Sequence, residues 1–246
     1  MRVAVISDVH GNLAALESVL EAATLRADEL WCLGDTVGYG PRPNECVAVV
    51  REHCSIVLAG NHDLAAAGTI DAATFSADAG RAIRWTREVL MADIEGYLRG
   101  LAPVHEQGNV GLYHGSPRDP TWEYVTDPLG AHGALAATAA ALVLVGHTHA
   151  SLAARLCDGR LTGGRANAGA IVEAQPDVRV LLNPGSVGQP RDADARAAWL
   201  LLELDDDRLL RRATFERTRY DVTRTQREML AAGLPEHLAD RLTFGI

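Results

Sequence analysis

"SIVLAGNHDL", residues 55–64, changes character within ten positions. Four apolar residues, Ile56 to Ala59, run into Gly60, and Asn61, His62 and Asp63 follow at once. A short apolar run rich in β-branched residues and closed by glycine reads as a buried strand. Three polar residues directly after the glycine place their side chains where that strand ends. Alone, the corner is also a good helix N-cap, because Asn and Asp favour such positions.

The same corner recurs along the chain. "AVIS" (4–7) ends in Asp8-Val9-His10, "LWCLG" (30–34) in Asp35, "VGLY" (110–113) in His114, and "LVLVG" (142–146) in His147-Thr148-His149. Five of the nine histidines fall in these corners, where chance would scatter them. Between the first strands lie helical stretches: "NLAALESVLEAA" (12–23), "NECVAVVREH" (44–53) behind Pro43, and the region from Ser76 to about Leu101. Alternating strand and helix predicts an open α/β sheet, whose sites gather at the carboxyl ends of strands. Beyond Gly146 a hairpin turning at Asp158-Gly159 leads into four further strands, with "DDDR" (205–208) as a tight turn. A helical tail from about Thr223 is expected near the surface. No linker or repeat divides the chain, so one domain over residues 1–246 is expected, a βα half followed by a mostly β half.

Composition narrows the function. The 246 residues are 48% hydrophobic and 22% charged, ordinary for a globular chain able to bury a core. A net charge of −9 argues against a long nucleic-acid footprint. All 23 basic residues are arginine, which excludes a P-loop lysine or a Schiff-base lysine. The four cysteines form no CxxC pair, which argues against a zinc–cysteine site. The apolar start is too brief for a signal peptide, and no segment reaches membrane-spanning length, so a cytoplasmic protein is expected.

Imidazole together with carboxylate suits zinc, iron or manganese better than calcium or magnesium alone. The corners hold too many candidate ligands for one ion. Asp8, His10, Asp35, Asn61, His114, His147 and His149 suffice for two, with Asp35 the natural bridge. Two metals about 3.5–4 Å apart serve phosphoryl transfer by clamping attacking and leaving oxygens.

"DVHGN" (8–12), "GDTVGYGP" (34–41), "GNHD" (60–63), "HGSP" (114–117) and "GHTH" (146–149), in this order, resemble the calcineurin-like metallophosphoesterases. "NPGSVGQPRD" (183–192) extends the likeness toward the small bacterial phosphodiesterase-like branch. The resemblance implies an α/β fold, an αββα sandwich of two mixed sheets flanked by helices, with the dinuclear site at one edge. It implies Asp8, His10 and His149 on a first metal, Asp35 bridging, and Asn61, His114 and His147 on a second. The ions would be divalent Mn, Fe, Zn or Ni, with Mg also admitted. His62 would stay off the metals and serve the phosphate or its leaving group, and Asp63 would orient that imidazole.

The implied activity is phosphoric ester hydrolysis, with phosphodiesters favoured and attack by a hydroxide bridging the metals. Val37-Gly38-Tyr39 and Asp63 depart from the protein phosphatases of the superfamily. "GDTVGYGP" is also similar to the symmetrical dinucleoside polyphosphate hydrolases, which leaves a nucleotide among the substrates. A non-catalytic scaffold of the same fold and a nuclease are the alternatives, and a homo-oligomer is left open. Arg118 and Arg191 are candidates for phosphate, against salt bridges to Asp119 or Asp192. Asn12 is a candidate for substrate or for a helix cap. Trp122 and Tyr124, in a rim loop at 121–127, offer rings for a base or sugar.

Overall fold

The computed structural model describes residues 1–246 as two six-stranded mixed sheets packed face to face. In the first, β1 (Arg2–Ile6), β2 (Glu29–Cys32) and β3 (Ile56–Val57) run parallel. Beyond β1 come β11 (Ala197–Leu204), β12 (Leu210–Thr218) and β9 (Ile171–Glu173), each antiparallel to its neighbour. The second sheet has the order β4 (Val104–Gln107), β5 (Val110–Tyr113), β6 (Leu142–Val145), β10 (Arg179–Asn183), β7 (Leu152–Cys157), β8 (Arg160–Arg165). There β5, β6 and β10 are parallel, while β4, β7 and β8 pair antiparallel at the flanks.

Side chains alternate across a strand, so each sheet has an inner and an outer face. Val3 and Val5 point inward, opposite Leu202 and Leu200 in register, and meet Leu112, Leu144 and Leu182 of the second sheet. Ala4 and Ile6 point outward against α1 (Leu13–Thr24) and α2 (Pro43–His53). The outer face of the second sheet is covered by α6 (Pro128–Ala136) through Ala131, Ala134 and Leu135. Both faces of the central strands are therefore apolar, and helices flank two sheets. No helix is long and apolar enough to cross a membrane.

Several elements differ from the sequence expectation. β3 is two residues long, because Leu58 and Ala59 already belong to the corner. The helical region is two helices, α4 (Ala77–Val89) and α5 (Ala92–Arg99), broken where Leu90 and Met91 turn extended. β4 is a polar, mostly exposed edge and α6 carries two glycines, so neither shows a period. β4 also interrupts the run of site-bearing strands, which is not continuous. The tail forms α7 (Val222–Ala231) and α8 (Glu236–Asp240), and it is not merely superficial. Met229, Leu234, Leu238 and Leu242 are buried against Ala82 in a cluster with Tyr39 packed on it.

Leu200 is fully buried between the sheets. Leu200→Ala is expected to cost about 2–5 kcal/mol. Urea titration should show a lower midpoint with an unchanged slope.

Candidate dinuclear metal centre

The polar corners converge at the carboxyl ends of β1, β2, β5 and β6, with Asn61 at the start of α3 (Asn61–Ala66). Asp8, His10, Asp35, His147 and His149 all take the left-handed conformation, with φ between 50° and 65°. Such backbone costs of order 1–3 kcal/mol per residue and persists only where its surroundings hold it. Here the corners hold one another. The Asp8 N–H donates to the Gly34 carbonyl at 3.0 Å and the His10 N–H to that of Asp35 at 2.9 Å. The loop after β10 adds the Gly188 N–H on the Asp8 carbonyl at 2.9 Å and the Ser186 hydroxyl on the same oxygen at 2.7 Å.

The side chains share one design. His10, His114 and His149 each place Nδ1 on a main-chain carbonyl, of Val37 (3.1 Å), Leu33 (2.9 Å) and Gln189 (2.6 Å). A carbonyl accepts only from N–H, so Nδ1 carries a proton and Nε2 is the nitrogen turned inward. Each carboxylate gives one oxygen to a main-chain N–H and leaves the other bare. Asp8 Oδ2 accepts from the His147 N–H at 3.1 Å, and Asp35 Oδ1 from the His62 N–H at 2.8 Å. Asp8 Oδ1 and Asp35 Oδ2 are buried without a hydrogen-bond partner.

These inward atoms form two overlapping clusters, Asp8, His10, Asp35 and His149, and Asp35, His114 and His147. Asp35 Oδ2 belongs to both, 3.6 Å from His10 Nε2 and 3.4 Å from His114 Nε2. His10 Nε2 and His149 Nε2 lie 3.0 Å apart, and His114 Nε2 lies 3.2 Å from His147 Nδ1. The Asn61 amide oxygen stands 3.1 Å from His114 Nε2. Burial pulls His10 and His149 well below the usual imidazole range and His147 down to about 3. Neutral rings whose lone pairs converge with bare carboxylate oxygens repel one another unless a cation stands among them. The donor set therefore fits two divalent ions sharing Asp35.

Asp8 is pushed up to about 7 by burial. For His114 burial works downward, but Asp35 outweighs it and holds the imidazole up at about 9. Both groups must shed a proton to bind metal.

The remaining sequence candidates separate. His62 is 4% exposed and stands outside both clusters, its Nδ1 without a partner. Burial pulls its imidazole down to about 4. Asp63 does not hold that ring. Its carboxylate oxygens accept the main-chain N–H groups of Val37 (3.0 Å) and Gly60 (2.9 Å), which fixes the 36–38 loop and caps α3. Arg118 pairs with Glu123 rather than with Asp119. Asp119 instead accepts the N–H groups of Thr121 and Trp122. Asn12 caps α1 by accepting the Ala15 N–H, and its amide nitrogen donates to the Gly188 carbonyl.

Arg191 stays at the site, over the Tyr39 ring at 5.7 Å, while Asp192 pairs with the buried Arg217. The sequence reading missed the site positions of Tyr39, Gln189 and Arg241. Tyr39 lies within "GDTVGYGP" and Gln189 within "NPGSVGQPRD", which is the signal they carry. Arg241 carries none.

Comparison with known proteins agrees with this geometry. The profile of the calcineurin-like phosphoesterase superfamily domain matches residues 1–207. An uncharacterised protein of Methanocaldococcus jannaschii is 33% identical over 253 residues, covering 99% of this chain and 98% of that protein. The crystal structure of a metallophosphoesterase from Sphaerobacter thermophilus is 41% identical, with a TM-score of 0.87 over 100% of this chain and 99% of that one. A symmetrical bis(5'-nucleosyl)-tetraphosphatase of Psychromonas ingrahamii is 42% identical over 65 residues, 24% of this chain and 23% of that protein.

Two outcomes follow for metal binding. A Cβ on Gly60 would stand 1.9 Å from Asp35 Oδ1 and 2.4 Å from the Asp35 nitrogen. Gly60→Ala should therefore lower bound metal per chain, read by elemental analysis beside wild type. Metal uptake should release protons, and apparent affinity should rise between about pH 6 and pH 9 as competing protons leave. Calorimetry in buffers of different ionisation enthalpy counts them, and a pH-independent affinity would exclude proton competition at Asp8 and His114.

Proposed function

The chain belongs to the calcineurin-like phosphoesterase superfamily, and from that premise we propose that it is a metal-dependent phosphoesterase that favours phosphodiesters. The observation that carries this reading is the bare Asp35 Oδ2, shared by two histidine clusters at 3.6 and 3.4 Å. Asp8, His10, Asp35 and His149 hold one ion, and Asp35, Asn61, His114 and His147 the other. Imidazole and carboxylate with one neutral amide oxygen suit Mn, Fe, Zn or Ni, with Mg admitted. Bound there, two such ions neutralise charge on the phosphate and supply an activated water.

The chain's own groups do the rest. His62 lies against the centre, tied to it by its main-chain N–H on Asp35. Its neutral ring donates a hydrogen bond to the leaving oxygen and passes the proton across as negative charge builds there. Gly38 makes room for that ring, because a Cβ there would stand 2.4 Å from His62 Nδ1. Asp63 keeps the Gly38 loop and the start of α3 in register with each other. Arg191 offers a guanidinium to the phosphate, supported by Gln189 Oε1 at 2.8 Å. Similarity to tetraphosphatases over a quarter of the chain supports nucleotides among the esters taken.

Purified protein analysed for metals and then assayed on diesters, monoesters and dinucleotides with each candidate metal tests the reading. No turnover on any of them would end it. His62→Ala should lower kcat by about 10²–10⁴-fold while bound metal stays constant. Unchanged turnover in that variant would remove His62 from the reaction.

A further inference from the structure

Beside the metal centre lies a cavity of about 410 Å³, the size of a small-molecule site. A larger one, about 690 Å³, opens at the amino ends of β6 and β10, away from the polar corners. The first reaches the centre through Asn61 and His62. Its lining is aromatic. The Phe75 ring packs on His62 at 5.0 Å and on Trp122 at 5.2 Å, centroid to centroid. Tyr124, also in the lining and 52% exposed, lies flat on the His147 ring at 3.9 Å. None of the eleven lining residues is acidic, although the chain carries a net charge of −9.

Two guanidiniums face this cavity, Arg191 and Arg241. Arg191 donates to Gln189 and, at 3.4 Å, to the Tyr39 hydroxyl, and its Nε is buried without a partner. Arg241, delivered by the short turn after α8, donates from Nε to the main-chain oxygen of Ile246. Arg217 pairs with Asp192 and Arg42 with Glu228. No side-chain carboxylate lines this cavity beside Arg191 and Arg241. Burial, and then repulsion from Arg191, pulls Arg241 below the usual guanidinium range. Two cations that disfavour each other across a cavity are relieved by a bound anion, and arginine binds phosphate through a planar fork. Aromatic faces beside them suit a planar base.

We propose that this cavity is a second half-site, in which Arg241 holds a phosphate other than the one that Arg191 meets at the metals, and the Phe75–Trp122 wall stacks a base. The substrate class is then a nucleotide with at least two phosphates, and Arg241 is a specificity-determining residue. It lies beyond the residues 1–207 that match the superfamily profile. The inference rests on the phosphoesterase reading above. In the hydrolysis, the oxygen of water bonds to phosphorus at the metal centre and the phosphorus–oxygen bond to the nucleotide breaks. The nucleotide oxygen takes a proton and leaves with its base and second phosphate still in the half-site.

Binding of ADP, AMP and adenosine to the full chain with Mn²⁺ tests this, by calorimetry and tryptophan fluorescence. ADP should bind about tenfold or more tighter than AMP, and AMP tighter than adenosine. Arg241→Gln should cut the ADP-to-AMP ratio several-fold, and Arg241→Lys should restore part of it. Trp122→Leu should weaken ADP and AMP alike and abolish the fluorescence change. Equal affinity of wild type for ADP and AMP overturns the proposal, and so does an unaltered ratio in an Arg241→Gln protein with a native melting temperature. If Arg241→Gln does not fold, the wild-type ratio and the Trp122→Leu result decide. Turnover of bis(p-nitrophenyl) phosphate by the same preparation separates the two readings. Turnover without ADP discrimination removes only the half-site, whereas discrimination without any turnover removes the phosphoesterase reading.

Discussion

A carboxylate oxygen buried without a hydrogen bond is among the costliest groups a fold can carry, and this protein places two of them a few ångströms apart. Asp35 Oδ2 and Asp8 Oδ1 are both bare, while the partner oxygen of each is fixed by a main-chain N–H from another corner. That arrangement lets neither carboxylate rotate to satisfy itself. The three inward Nε2 atoms are fixed in the same manner, by Nδ1–H bonds to carbonyls. The centre is thus preorganised, and its stored electrostatic cost is what divalent cations offset on binding.

Much of the remaining architecture follows from that constraint. Left-handed backbone at five candidate ligands is strained, so it needs rigid strands behind it and cross-links between corners. The apolar sandwich supplies the first, with Val5, Leu144 and Leu200 closing the core beneath the site. The segment 183–191 supplies the second. Its Ser186, Gly188 and Gln189 hold Asp8 and His149, although it contributes no ligand. Gly60 is needed because Asp35 occupies the space where a side chain would stand.

The central strands, the hairpin at Asp158-Gly159 and the corner residues were legible because each rests on local pattern, whereas the division into two sheets came only with the family likeness. Alternation, turn chemistry and glycine placement are properties of neighbouring residues. The missed pieces, β4 and α6, have polar or uniformly apolar sequences whose state is set by what they pack on. Asp63 shows the same limit within the site. Its position beside His62 suggested a partner for the ring, yet as the third residue of α3 it faces back to the helix start and the 36–38 loop. Arg118 had two nearby acids to choose from by sequence, and it pairs with Glu123, five positions on.

The sequence by itself determined which chemical groups gather at the strand ends, because strand termini and their polar caps are written locally. It also carried the family likeness and the central place of Asp35, which belongs to both clusters. Only the tertiary structure decided which oxygen of each carboxylate stays bare, which acid supports which ring, and that Arg241 reaches the cavity beside Arg191. Those outcomes depend on contacts between residues far apart in the chain, 150 and more positions for Tyr39 and Arg191. Long side chains take their direction from such contacts, and no local spacing encodes them.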